Sequence, residues 1–111
     1  MTLRETQAKF VTMLAEFLSW AVTQPGYSIR LAEAYRPPDV AAFYASQGRG
    51  IAKSLHSVRL AIDLILDING VYQTSSEAYR ALGEKWESLG GAWGGRFKDG
   101  NHFSLEWGGR K

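Results

Sequence analysis

The chain contains no cysteine. That excludes disulfide frameworks, thiol nucleophiles and thiolate metal sites at once, and leaves imidazole and carboxylate as the available metal ligands. Imidazole is itself scarce, with two histidines in 111 residues. No apolar run approaches the roughly 20 residues a transmembrane helix needs, so no stable membrane insertion is expected. The N-terminal stretch "MTLRETQAKF" is too charged for a signal peptide. The expectation is a protein made in the cytosol, for which work beyond the membrane would require another export route. There is no low-complexity tract and no block of like charge. The net charge of +2 suits a negatively charged partner such as nucleic acid or an anionic cell wall, and demands neither.

What is present is apolar and aromatic. Hydrophobic residues make up 45% of the chain, with four Trp, five Tyr and five Phe, enough to core one domain spanning residues 1–111. Thr2 and Glu5 have the spacing of a capping box, and Phe10, Leu14, Phe17, Leu18 and Ala21 recur at helical spacing. They predict a helix from about Leu3 to Thr23, ended by "QPG". Residues 27–34, "YSIRLAEA", alternate as a strand. "RPPDVAAFYASQGRG" opens with prolines suited to a first helical turn and closes in glycines, predicting a helix at about 38–47.

"LAIDLILDINGVYQT" carries the clearest strand signal. Ile62, Leu64, Leu66 and Ile68 share one face, and Ala61, Asp63, Ile65 and Asp67 share the other. Asn69-Gly70 is a two-residue hairpin turn, so "VYQT" should return as a second strand. Ser75 or Ser76 caps a helix bearing Tyr79, Leu82, Trp86 and Leu89. "GGAWGGRFKDGN" reads as a glycine-rich loop, and "HFSLEW" as a last strand with Phe103, Leu105 and Trp107 inward and His102, Ser104 and Glu106 on the other side. The order helix, strand, helix, hairpin, helix, strand predicts an α+β domain, a small antiparallel sheet flanked by helices.

Both histidines fall at strand edges. His56 precedes Asp63 by seven residues, which on one unbroken strand would put them on opposite faces. The chain must turn between them, or His56 must enter from a loop. With that turn, His56, Asp63 and His102 can converge as two imidazoles and one carboxylate, a three-ligand zinc set that leaves a position open for water, as catalytic sites do. Buried without partners, these groups would cost several kcal/mol, roughly, by transfer energetics; a shared divalent cation would offset that. Asp99 lies three residues before His102, where a carboxylate could take a proton from a zinc-bound water and pass it to a leaving amine. A turn-forming role in D-G-N is the other reading of Asp99. Arg36 stands where a guanidinium could reach a carbonyl or carboxylate, or could simply be solvated.

Together these residues resemble a family. "SLHSVRLAID", residues 54–63, is similar to the S-x-H-x(6)-D motif of the D-alanyl-D-alanine metallopeptidases. "WGGRFKDGNHF", residues 93–103, resembles their second motif, in which an acid precedes a zinc histidine by three positions, and "YRPPDVAAFYASQGRG" resembles their arginine-bearing upstream segment. The pattern is similar to small phage endolysins of L-alanyl-D-glutamate or D-alanyl-D-alanine peptidase type, which share a fold with the hedgehog signalling domain. The likeness covers about residues 27–107. It implies Zn²⁺ held by His56, Asp63 and His102, with Asp99 as general acid and base (many relatives carry glutamate there) and Arg36 binding or polarising the substrate carbonyl. It implies a supporting role for Ser54 beneath the site and a place for Trp93 in the cleft wall, although Trp93 as a core aromatic would look the same. Two departures stand out: Arg59 where many relatives have glycine, and Ser104 where many have glutamate.

The implied activity is that of a zinc peptidase cutting a stem-peptide bond of bacterial peptidoglycan. The implied setting is phage lysis of the host, with the enzyme made in the host cytoplasm, acting as a monomer and reaching the wall through a permeabilised membrane. L-Ala–D-Glu and D-Ala–D-Ala cleavage share these residues. A zinc-containing binding domain without turnover is the alternative on the same fold; the presence of Asp99 argues against it. A nucleic-acid binder ranks last, because Lys and Arg are scattered rather than clustered on one face.

Overall fold

The computed structural model describes residues 1–50 and 53–111. Helix α1, Leu3–Ala21, begins at the capping box: Glu5 N–H donates to Thr2 Oγ1 at 3.1 Å and Thr2 N–H donates to Glu5 Oε1 at 2.8 Å. Its buried stripe of Phe10, Met13, Phe17 and Ala21 lies on one side. The sheet is built around strand β2, Ala61–Ile68, which pairs antiparallel with β1, Tyr27–Leu31, on one edge. On its other edge it pairs with β3, Val71–Tyr72, and with β5, His102–Ser104. A short strand β4, Ala92–Trp93, pairs with β5. Asn69 and Gly70 take φ of 51° and 80°, the left-handed pair that a two-residue hairpin turn requires.

The two faces of β2 have different destinations. Leu64 and Leu66 are fully buried and Ile62 nearly so. They pack with α1 and with α3, Arg80–Ser88, around a knot of rings in which Phe17 lies 5.1 Å from both Trp86 and Phe103. The opposite face carries Asp63. Helix α2, Pro38–Ser46, begins at the prolines as expected and buries Ala41. No helix among the described residues is long and apolar enough to cross a membrane.

The α+β class and the element order follow the sequence reading; several boundaries do not. Strand β1 stops at Leu31, because Asp63 accepts from Ala32 N–H but donates to the Glu33 carbonyl. Two residues thus stand opposite one, a bulge that ends the pairing. The third helix begins as a 3₁₀ turn, Glu77–Tyr79, with Ser75 Oγ accepting from Ala78 N–H. The glycine-rich segment is ordered into β4 and a further 3₁₀ turn, Gly94–Phe97. The last strand ends at Ser104, so Glu106, which is exposed, lies beyond it rather than on the strand with His102.

Candidate metal and catalytic site

Each motif residue reaches the site by a different local device. His56 rides on a 3₁₀ turn, Leu55–Val58, whose first N–H groups are capped by Ser54: its Oγ accepts from His56 N–H at 3.1 Å. Ser54 therefore orients the backbone that carries the imidazole. The turn closes at Arg59 with φ 58°, a left-handed position that favours glycine. This explains the departure noted there; the arginine tolerates the conformation with its guanidinium 4.0 Å over the Tyr35 ring. That reversal supplies the break needed between His56 and Asp63.

Asp63 and His102 face each other across β2 and β5. The flanking bonds, Leu64 N–H to Asn101 and Leu105 N–H to Leu60, make theirs a non-hydrogen-bonded pair, the kind whose side chains come closest. His102 Nδ1 and His56 Nε2 each lie 3.2 Å from Asp63 Oδ1. One ligand atom from each of the three residues falls within 4.8 Å of the others. His56 Nδ1 sits 3.0 Å from the Ala34 carbonyl. With its Nδ1–H donating there, Nε2 is left as the atom free to ligate. Two imidazole nitrogens and a carboxylate oxygen, oriented and largely buried, fit a borderline divalent cation such as zinc.

Asp99 is placed by its glycines. Gly94 passes so close that a Cβ there would lie 2.2 Å from the Asp99 carbonyl oxygen and 2.8 Å from His102 Cβ. Asp99 N–H donates to the Gly94 carbonyl and His102 N–H to that of Asp99. Trp93, 2% exposed, donates its indole N–H to the Gly100 carbonyl at 2.7 Å. It is a core residue that anchors the loop, not a wall of the cleft. Asp99 Oδ2 ends 3.9 Å from His102 Nδ1 with its side chain half exposed, beside the three donors and outside their set.

Arg36, Ser54, His56, Asp63, Asp99 and His102 line one cleft of about 320 Å³. Two further side chains, one against Arg36 and one in the cleft wall, carry no motif signal. Glu33, whose carbonyl takes the Asp63 N–H at the bulge, grips Arg36 with both carboxylate oxygens, its Oε2 at 3.1 Å from Nε, and its Oε1 is 3.9 Å from His56 Nε2. The i,i+3 spacing of Glu33 and Arg36 in "EAYR" was the one available clue. Phe97, 49% exposed, lines the cleft with its ring 6.2 Å from that of His102. Glu106 lines a different cavity, with Glu87, Trp93 and Arg96.

Burial pushes the Asp63 carboxyl up, but hydrogen bonds from His102 and His56 outweigh it and hold its pKa at about 2. For His56, burial pulls down most strongly; the bonds to Asp63 and Ala34 and the nearby carboxylate charges reverse this and leave it above its ordinary 6.5. Asp99 is raised, first by burial and also by the charge of Asp63, against the opposing pull of His102.

A metal needs His56 neutral at Nε2, so metal affinity should fall as pH drops through the raised His56 value, while Asp63 stays ionised down to about pH 2. In the metal-free fold the His56 contribution runs the other way. Stabilisation from protonated His56 is full below 6.5 and is lost as pH rises through the raised value; that from Asp63 is present above 3.8 and is lost as pH falls towards about 2. Titrations of metal content and of thermal midpoint with and without metal test both limbs.

A family model described as D-alanyl-D-alanine carboxypeptidase matches residues 47–105. Among solved structures, the chain is similar to the Serratia marcescens L-Ala D-Glu endopeptidase ChiX, at 22% identity and a TM-score of 0.70, over 94% of this chain and 83% of that one. No curated protein sequence matches the chain.

Proposed function

The chain belongs to the D-alanyl-D-alanine carboxypeptidase family, and from that premise we propose that it is a zinc-dependent peptidase that cleaves a stem-peptide bond of bacterial peptidoglycan. The observation that carries this reading is the joining of a three-donor cluster, His56, Asp63 and His102, to an adjacent carboxylate that is not part of it, Asp99. The fold shared with an L-Ala D-Glu endopeptidase and the family's name make L-Ala–D-Glu and D-Ala–D-Ala the two bonds to test. The proposed setting is phage lysis of a bacterial host.

Bound by the three donors, a divalent cation supplies Lewis acidity and lowers the pKa of water to near neutrality. The chain's own residues do the rest. Asp99 accepts the proton of the attacking water and returns it to the departing amine. Arg36 lines the cleft and offers N–H donors to the carbonyl oxygen as negative charge builds there. Phe97 and Leu55 supply apolar surface that restricts water.

Digestion of purified peptidoglycan by the metal-loaded protein, by the same protein with chelator, and after zinc is restored tests this function. New amino termini identified by mass spectrometry name the bond. Activity that survives complete metal removal would refute it.

Glu33 is a positioning residue in this scheme, because it holds the Arg36 guanidinium without lying among the three donors. Glu33→Gln should lower kcat/KM by about tenfold, since small misplacements of a catalytic group are costly. Metal content should not change. In an Arg36→Ala background the same substitution should add almost nothing. Steady-state kinetics on a stem peptide give the comparison.

A further inference from the structure

A second cavity, of about 230 Å³, opens on the other side of Asp99. It lies between the segment running out of β3, residues 72–76, and the loop that precedes β5, residues 98–101. Asp99 borders both this cavity and the metal cleft. The walls are stitched in place: Gly100 N–H donates to Ser76 Oγ at 3.0 Å, and Gln73 N–H to the Leu66 carbonyl at 2.9 Å. Tyr79 Oη accepts from Leu66 N–H at 3.0 Å.

The lining is polar and rich in donors. Ser75 and Ser76 both use their oxygens as acceptors, which leaves their O–H protons available. Lys98 is the one cationic side chain of the lining, is exposed, and pairs with no carboxylate among the described residues. It stands at φ 64°, a conformation that glycine adopts without strain. A lysine that occupies a glycine-like position, with its charge unpaired in a preformed polar cavity, is placed to meet an anion.

We propose that this cavity holds a substrate carboxylate on the leaving side of the scissile bond, with Lys98 as its counter-charge and the Ser75 and Ser76 hydroxyls as donors. The inference rests on the peptidase reading. Asp99 must lie within hydrogen-bond reach of the amine it protonates, so atoms attached to that amine stand nearest the cavity whose wall Asp99 forms. In both bonds under test, the residue that supplies the amine carries a free α-carboxylate: the γ-linked D-Glu in one, the terminal D-Ala in the other. A carboxylate entering beside Asp99 would be repelled by it, and Lys98 offsets that repulsion. Lys98 is thus a specificity residue, not a catalytic one.

The experiment uses the full-length, metal-loaded protein and two peptides, L-Ala-γ-D-Glu-L-Lys and L-Lys-D-Ala-D-Ala. Each is made with the leaving-side α-carboxylate free or as its primary amide. Lys98→Met keeps chain length and the same backbone demand, and Lys98→Arg restores the charge. The wild type should show a KM about tenfold lower for the free acid of whichever peptide it cleaves, the modest end for one partly exposed charge-assisted contact. Lys98→Met should lose that preference with kcat within about twofold of wild type, and Lys98→Arg should recover most of it. Calorimetric binding of the same four peptides to wild type and to Lys98→Met gives a readout that needs no turnover. Equal affinity for acid and amide in both proteins would overturn the inference even if both peptides are cut. Absence of cleavage with the acid preference intact would instead strike at the peptidase reading and leave the carboxylate site standing.

Discussion

Asp99→Asn is expected to fold normally and to keep its metal, while turnover falls by about 10²–10⁴-fold, the usual contribution of a positioned acid and base. The amide preserves shape and removes the basic oxygen. The loop does not depend on the carboxylate: it is held by backbone bonds from Asp99 to Gly94 and from His102 to Asp99, and by the Trp93 indole on Gly100. The carboxylate lies 3.9 Å from His102 Nδ1, close enough to serve the same reacting centre as the three donors. Metal analysis, a thermal melt and single-turnover kinetics on the purified variant separate three outcomes. Loss of metal would make Asp99 a ligand. Near-normal turnover would make it a turn former and move the base elsewhere. Glu106 is not available as that substitute, because it lines a different cavity from the three donors. Intact metal with turnover nearly abolished is the expected result.

Asp63→Ala should have the largest effect of any single substitution. One oxygen of Asp63 serves both imidazoles at 3.2 Å, so its removal strips the cluster of its only negative donor and leaves His56, 3% exposed, and His102, 8% exposed, side by side. Metal affinity is expected to drop by at least about 10²-fold and activity to fall to background. The metal-free protein should also lose about 1–3 kcal/mol, the cost of leaving buried polar groups without their partner. His102→Ala should abolish activity and metal binding but cost less stability without metal, because the carboxylate keeps its bond to His56. Equilibrium dialysis against zinc and denaturant melts measure the two quantities. A His102→Ala protein that still holds stoichiometric zinc would show the ligand set to be wrong.

Much of the fold was legible because its signals are local. The Thr2–Glu5 box, the periodic apolar residues of α1, the alternation along β2 and the Asn69-Gly70 turn each act over a few residues, where side-chain spacing and backbone preference agree. The boundaries that slipped share a cause of another kind. β1 ends at a bulge whose hydrogen bonds go to Asp63, thirty residues away and more. β4 exists because Ala92 and Trp93 find Ser104 and Phe103, and no pattern within "GGAWGG" announces that pairing.

The candidate site divides the same way. Two histidines, an aspartate and a following acid were visible in sequence because few residue types ligate metals or move protons, and the absence of cysteine narrowed the choice further. For the two to share a site, the sequence by itself also required either a turn between His56 and Asp63 or the entry of His56 from a loop, since seven residues of strand would separate their faces. What only the tertiary structure decided is which neighbours surround the site. Glu33, whose carbonyl takes the Asp63 N–H at the bulge, grips Arg36; Trp93 anchors the Asp99 loop because its indole finds the Gly100 carbonyl; and Lys98 borders a second cavity because the loop before β5 lies against the segment after β3. Chemistry is written in residue type and spacing. Proximity across strands and loops is set by long-range packing and hydrogen bonding, to which a local pattern carries no reference.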